Sequence, residues 1–198
     1  MIIQTHLLRA ALVCVAKNDP RYYLQGVHIN RKHIEATNGH VALRMEHGIK
    51  TRKNVILEFR GKIPAKAETT EIVFAKEPYA VHRDSKRLRV GFTAIVSHSD
   101  ARFPDLNRVI PTKFEMCTPY FQAAYLAYPE KMFGTGGRHW LNTVSFHPSS
   151  MTGGCLIRFS DWVDEKYGKP QFVVMPCREW GELWKLNMSP AKQATQPK

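Results

Sequence analysis

This sequence has little of what usually fixes a chemistry. Four cysteines, Cys14, Cys117, Cys155 and Cys177, are spread through 198 residues without a Cys-x-x-Cys pair or a histidine at ligand spacing. That argues against zinc ribbons and a disulfide framework, and leaves reduced, mostly buried thiols as the expected state. The nine histidines are equally scattered; His28 and His33 straddle a turn without a third ligand, so no metal and no cofactor is expected. No run approaches the roughly 18 consecutive apolar residues of a membrane helix. The apolar start from Met1 to Ala16 is broken by His6 and Arg9 and lacks a small-residue cleavage site, so no secretory signal is expected and the cytoplasm is the expected location. Catalytic patterns are missing as well. No Ser or Cys sits in a nucleophile elbow, and Asp161, Asp164 and Glu165 read as a solvated acidic turn, so a binding protein rather than an enzyme is expected.

Negative charge is the scarcer sign. Lys and Arg number 29 against 17 Asp and Glu, a formal charge of +12. Such an excess suits a polyanionic partner, and nucleic acid is the one expected, because neutralising phosphates releases their counterions. At 43% hydrophobic and 11% aromatic residues the chain has material for a packed core.

Along the chain, Thr5 is placed to cap a helix whose Leu7, Leu8, Ala11, Leu12 and Val15 form one apolar stripe, with Arg9 and Lys17 off it. Asp19-Pro20 ends that helix. From Tyr22 to Met45 apolar residues alternate with polar ones in three strands, the first including Tyr23, Val27 and Ile29. Arg31-Lys32 and Asn38-Gly39 fall at their turns, the second being a strong hairpin signal. Further strands are expected at Val55 to Phe59, Ile72 to Phe74, Tyr79 to His82 and Leu88 to Ile95. The densest basic cluster, His82 to Arg89, reads as a hairpin tip, either solvated or touching phosphate. Thr118-Pro119 is a helix-start signal, and Tyr120 to Phe133 has a helical pattern that Pro129 should kink or split. Gly134-Thr-Gly-Gly reads as a turn. Strands around Trp140 to Phe146, at Cys155 to Phe159 and at Gln171 to Met175 complete the reading. Trp180, Leu183 and Trp184 fit one helical face, and the basic stretch from 191 to 198 reads as disordered.

Three distant segments carry a resemblance. They are Tyr-Leu-Gln-Gly at residues 23–26 with Ala-Thr-Asn-Gly-His at 36–40, Phe-Pro-Asp-Leu-Asn-Arg-Val-Ile-Pro at 103–111, and Val-Val-Met-Pro-Cys-Arg at 173–178. In this order they resemble the bacterial DNA polymerase sliding clamp, the β subunit of DNA polymerase III. That family carries a Tyr-Leu-Asn-Gly strand, an Ala-Thr-Asp-Gly-His-Arg turn, a Phe-Pro-Asp-x-x-Arg-Val-x-Pro linker and a Val-Val-Met-Pro-x-Arg terminus. The resemblance implies an α+β clamp fold. Residues 1–111 would form one nearly complete clamp-like domain similar to the family's middle one. Residues 112–178 would form a shortened domain similar to the end of its last one, and 179–198 an extension. The family's first domain has no counterpart, and its helix between Phe59 and Ile72 is not expected here, because Gly61 and Pro64 break a short interval.

The resemblance also implies a site. In the family these segments converge on an apolar cleft that receives a Gln-Leu-x-Leu-Phe peptide from polymerases and repair factors. Carried over by position, the cleft takes Leu24, Thr37, Gly39 and His40 from the first segment and Pro104, Arg108 and Val109 from the linker. Val173, Met175, Pro176 and Arg178 come from the terminus. Apolar walls would bury the peptide's anchors, Met175 would adapt to varied partners, and Arg108 and Arg178 would hold carbonyls or a carboxylate. Val41 and Ala42 replace a family arginine and leucine, which removes a polar contact and enlarges a subsite. Leu183-Trp184-Lys185-Leu186 loosely echoes the peptide, so the extension is a candidate occupant. The family points its helices at DNA, which makes Arg9 and Lys17 candidate phosphate contacts beside Arg83, Lys86, Arg87 and Arg89 of the hairpin.

The function so implied is a sliding-clamp-like replication processivity factor, phage- or plasmid-borne in character. It would contact duplex DNA and dock polymerase or repair proteins, with a clamp loader and copies of itself as further partners and a trimer as the closed ring. The alternative is a non-ring peptide-binding adaptor or decoy that competes with a host clamp for its clients. A third is a basic DNA-binding protein that uses the fold as scaffold.

Overall fold

The computed structural model describes residues 1–134 and 143–177. Eleven strands form one antiparallel sheet in the order β1-β6-β7-β8-β5-β2-β3-β4-β11-β10-β9. The first eight come from the N-terminal part: β1 (Ile2–Gln4), β2 (Val27–Ile29), β3 (His33–Thr37), β4 (Val41–Glu46), β5 (Val55–Arg60), β6 (Thr69–Val73), β7 (Tyr79–Arg83) and β8 (Arg89–Ser97). The other three are β9 (Val144–Pro148), β10 (Cys155–Phe159) and β11 (Gln171–Val174). Helix α1 (Thr5–Val13) follows β1, the short α2 (Ala123–Leu126) and α3 (Tyr128–Phe133) precede β9, and α4 (Asp161–Tyr167) links β10 to β11.

Burial follows the alternation where one face is covered. In β7, Ala80 and His82 point inward, alternating with the more exposed Tyr79, Val81 and Arg83. Strands β3 and β4 lie mid-sheet and are buried on both faces, so their inward and outward residues are both largely hidden. Helix α1 buries Leu7, Leu8, Ala10 and Ala11 and packs on β3 and α3. Leu12 and Val15, on the expected stripe, are only half-buried and face a groove described below.

The two stretches are sewn together through β4 and β11, with Val41 opposite Val174, Ala42 opposite Val173 and Leu43 opposite Phe172. One continuous core spans the seam. Phe133 packs edge-on against Phe159 and Tyr167 at 4.8 and 4.6 Å, and Cys14 Sγ lies 3.4 Å from Met132 Sδ. Burial pushes the Cys14 thiol far above its usual range.

Several local expectations need correction. Thr5 does not cap α1. The cap position is Gln4, and Thr5 is buried inside the helix with its hydroxyl 2.8 Å from that of Thr70. Tyr22–Leu24 is a 3₁₀ turn rather than the start of a strand. His82 is fully buried and leaves the basic cluster: its ring nitrogens bond the hydroxyls of Thr70 (3.0 Å) and Thr93 (2.8 Å). Thr118-Pro119 starts no helix; the helical pattern up to Phe133 splits into α2 and α3, with Pro129 in the first turn of α3 where its missing N–H costs nothing. The acidic turn at Asp161 is a helix, with two aspartates in its first turn, where the helix dipole favours them, and Gly168 at φ +64° closing it. As expected, no helix forms between β5 and β6; a turn held by Ala67 N–H to Pro64 O at 3.0 Å fills the interval. The Gly-Thr-Gly-Gly stretch beyond Gly134, the Trp140 start of a strand, and everything from Arg178 onward lie outside the described residues.

Candidate peptide-binding cleft

The site begins at the turn between β3 and β4. Asn38 Oδ1 accepts from the N–H of His40 (2.9 Å) and of Val41 (3.0 Å), and Thr37 Oγ1 donates to Val41 O at 2.6 Å. Of this turn's residues Gly39 alone takes a positive φ, +89°, and its missing side chain makes room for Arg21: a Cβ there would lie 3.2 Å from Arg21 Nη2. The carbonyl of His40 accepts from Met175 N–H at 2.9 Å, which fixes the chain leaving β11 against the turn.

The segment after β8 is pinned to the same place by polar groups. Phe103 stacks on His28 with ring centroids 4.6 Å apart. Asp105 accepts from Asn107 N–H at 3.0 Å and caps the single 3₁₀ turn Leu106–Arg108. Arg44 Nη1 donates to Asn107 Oδ1 at 2.9 Å, while its Nε donates to the buried Glu35 at 2.6 Å. Burial alone would raise the pKa of Glu35; hydrogen bonds from His28 and Arg44 outweigh it and hold the carboxyl below its usual range. Leu106 is buried as a result.

These three segments enclose a cavity of about 300 Å³, at the lower end of the size of ligand sites. Its walls include Leu24, Thr37, Gly39, His40, Pro104, Val109, Val173 and Met175, eight of the residues named from sequence. Arg108 opens onto an adjacent hollow of about 360 Å³ with Tyr23, Phe103 and Pro104. Pro176 is buried and does not line the cavity. Arg178 lies outside the described residues, as does the candidate occupant at residues 183–186. Sequence reasoning left out Arg21, Tyr23 and Leu106 as walls. Leu106 has the clearest signal, an apolar residue two positions from Pro104 in the same linker.

Solved structures share this architecture. The chain superposes on the sliding clamp of Bacillus subtilis with a TM-score of 0.61 at 14% identity, covering 90% of this chain and 64% of that one. The β subunit from the DNA polymerase of Streptococcus pyogenes gives 0.60 at 16% identity over 90% and 65%. The DNA polymerase III subunit beta of Pseudomonas aeruginosa gives 0.56 at 19% identity over the same shares, 90% and 65%. The fold is that of a bacterial sliding clamp. This chain spans just under two thirds of the length of those clamps. No family model matches the sequence, and no curated protein matches it.

On this clamp fold the candidate DNA contacts fall into two sets that do not share a cavity. Arg9 and Lys17 line a groove of about 760 Å³ between α1, residues 61–63 and α3, together with Lys62, Lys131, Tyr125 and Tyr128. Arg9 is held there by Nη2 donating to the carbonyls of Pro64 (2.5 Å) and Ala65 (2.9 Å). Lys62 and Lys131 are cations that sequence reasoning missed. The second set is the β7–β8 hairpin. Asp84 Oδ1 accepts from the N–H groups of Lys86 and Leu88, each at 2.9 Å, and Arg87 takes φ +62°. Lys86, Arg87 and Arg89 are exposed, whereas Arg83 is engaged with Glu71 at 3.1 Å. Among the described residues no three His, Cys, Asp or Glu side chains gather to hold a metal, and no helix is long and apolar enough to cross a membrane.

Proposed function

We propose that the chain is a sliding-clamp-like docking protein, a binding protein and not an enzyme. It contacts duplex DNA through its basic residues and receives a short peptide from polymerase or repair proteins in the apolar cleft. The carrying observation is the convergence of three segments, around residues 24–42, 104–109 and 173–175, on one cavity. Apolar walls from Leu24, Val109, Val173 and Met175 suit the leucine and aromatic anchors of a Gln-Leu-x-Leu-Phe peptide, and Arg21 at the rim suits a carbonyl or carboxylate. The groove with Arg9, Lys17, Lys62 and Lys131 and the exposed hairpin cations are the phosphate-contacting surfaces in this reading. Residues 1–111 act as one clamp-like unit and 112–178 as a shortened second, with the cleft at their seam, and the protein works in the cytoplasm.

A second reading, a peptide-binding adaptor or decoy that forms no ring, draws on the smaller second unit, which among the described residues contributes three strands against eight. Mass in solution separates the two. A trimer retained on circular DNA and lost from linear DNA supports the clamp with its loader and copies. A monomer that binds peptide and ignores DNA supports the adaptor, and a protein that binds neither peptide nor DNA would sink both.

A further inference from the structure

The cleft and the basic groove are separated by very little protein. His40 lines both, and the pair formed by Asp19 and Arg21 spans the partition, Asp19 lining the groove and Arg21 lining the cleft. The pair is two-pronged: Arg21 Nε donates to Asp19 Oδ1 at 2.9 Å and Nη2 to Oδ2 at 2.8 Å, while the Arg21 backbone N–H reaches Oδ1 at 2.8 Å. Planar guanidinium and carboxylate groups meet in this way with geometric specificity, so one cation has a defined home on the groove side. The hydrogen bond from Arg21, with its charge, holds the Asp19 carboxyl at a pKa of about 2.

Asp19 is the one carboxylate among the described residues that line the groove, and it stands there with Arg9, Lys17, Lys62 and Lys131. While Arg21 grips it, its charge is neutralised and the groove presents a net positive wall to phosphate. On the other side the guanidinium lies over Gly39, at the edge of the space a peptide would enter.

We propose that occupants of the two cavities oppose one another through Arg21. A peptide carboxylate that draws the guanidinium into the cleft strips Asp19 of its partner, and the freed carboxylate repels phosphate from the groove. The inference rests on the reading of the cleft as a peptide site. Because coupling between two binding equilibria is reciprocal, a nucleic acid in the groove weakens the acidic peptide by the same factor. A client handed to the cleft thereby loosens the grip on DNA at that point.

The test uses the full chain, a short labelled DNA duplex, and two peptides: Gln-Leu-Asp-Leu-Phe with a free C-terminus and Gln-Leu-Asn-Leu-Phe amide. At low salt the acidic peptide at saturation should weaken duplex binding about 5-fold or more, and the duplex should weaken that peptide equally. The neutral peptide should bind without shifting the duplex curve. Asp19→Asn should bind both ligands and lose the coupling. Unchanged duplex affinity with the acidic peptide bound, equal effects of both peptides, or full coupling in Asp19→Asn each overturns the proposal. Failure of either peptide to bind in the absence of DNA overturns the cleft reading itself, and the proposal with it; failure of the duplex to bind alone overturns the groove's part.

Discussion

The eight strands up to Ser97 and the three from Val144 onward solve the same problem differently. The first stretch covers its sheet with its own nine-residue helix, α1, and buries Leu8, Ile29, Ile34, Leu43, Met45 and Leu57 within itself. The second has too few strands to do so and borrows. Phe172 pairs across the seam with Leu43, and Met132 of α3 meets Cys14 of the first stretch with the sulfurs 3.4 Å apart. The lesson is that the cleft, built on that seam, exists only while the second stretch is docked on the first.

Breaking that dependence should give the largest effect. Phe172→Ala removes a fully buried ring at the seam and should cost about 3–5 kcal/mol in urea unfolding, with loss of peptide binding before loss of the N-terminal strands. If the variant unfolded in one step with its cleft intact up to the midpoint, the second stretch would not be the weaker partner. The two cavities offer a sharper contrast in salt. Duplex affinity should fall steeply with added salt, peptide affinity hardly at all, and Lys131→Ala should shallow the duplex slope by about one. Equal slopes for both ligands would mean that they share one surface.

Acid should act on the first stretch through titratable groups buried within it. Burial holds the pKa of His82 below its ordinary 6.5, so the neutral ring between Thr70 and Thr93 is the stabilising form. Its contribution is complete above pH 6.5 and is lost as pH falls below that through the lower folded value. The carboxyl of Glu35, held below 4.5, adds a second loss below pH 4.5 in the same sense. Chemical denaturation against pH should show both, and His82→Gln should reduce the upper one, the remainder coming from His6 and His33, whose rings burial also holds below 6.5. The smallest effect is expected within the cleft: Ala42→Leu narrows a wall position and should shift preference from bulky to smaller anchors with little change in stability.

Much of the fold was legible because alternation and turn chemistry are local. Asn38 and Gly39 announced a turn that the structure builds with their side-chain oxygen and positive φ. The cleft was legible only through likeness of three separated segments, since nothing in one segment says which other it meets. Helix α4 was within reach and was missed. Ser160, an early Asp161, Gly168 after Tyr167 and a basic Lys166 form a start-and-stop pattern, outweighed by reading its carboxylates as solvated. The groove was not legible, because Lys131 meets α1 only through the packing that sets α3 beside it, and Lys62 only through the loop that Arg9 holds at Pro64 and Ala65. Thr5 and His82 show the same limit: a polar residue reads as surface until other strands bring its partners, Thr70 for Thr5 and both Thr70 and Thr93 for His82.

The peptide site itself is tested most directly by titrating a labelled Gln-Leu-x-Leu-Phe peptide into the wild type and into Met175→Lys, a half-exposed wall position where a longer charged side chain keeps a route to water. Saturable binding by the wild type, weakened about tenfold or more, some 1.4 kcal/mol, in the variant, is the expected result. Equal binding by both proteins, or none by the wild type, would contradict it.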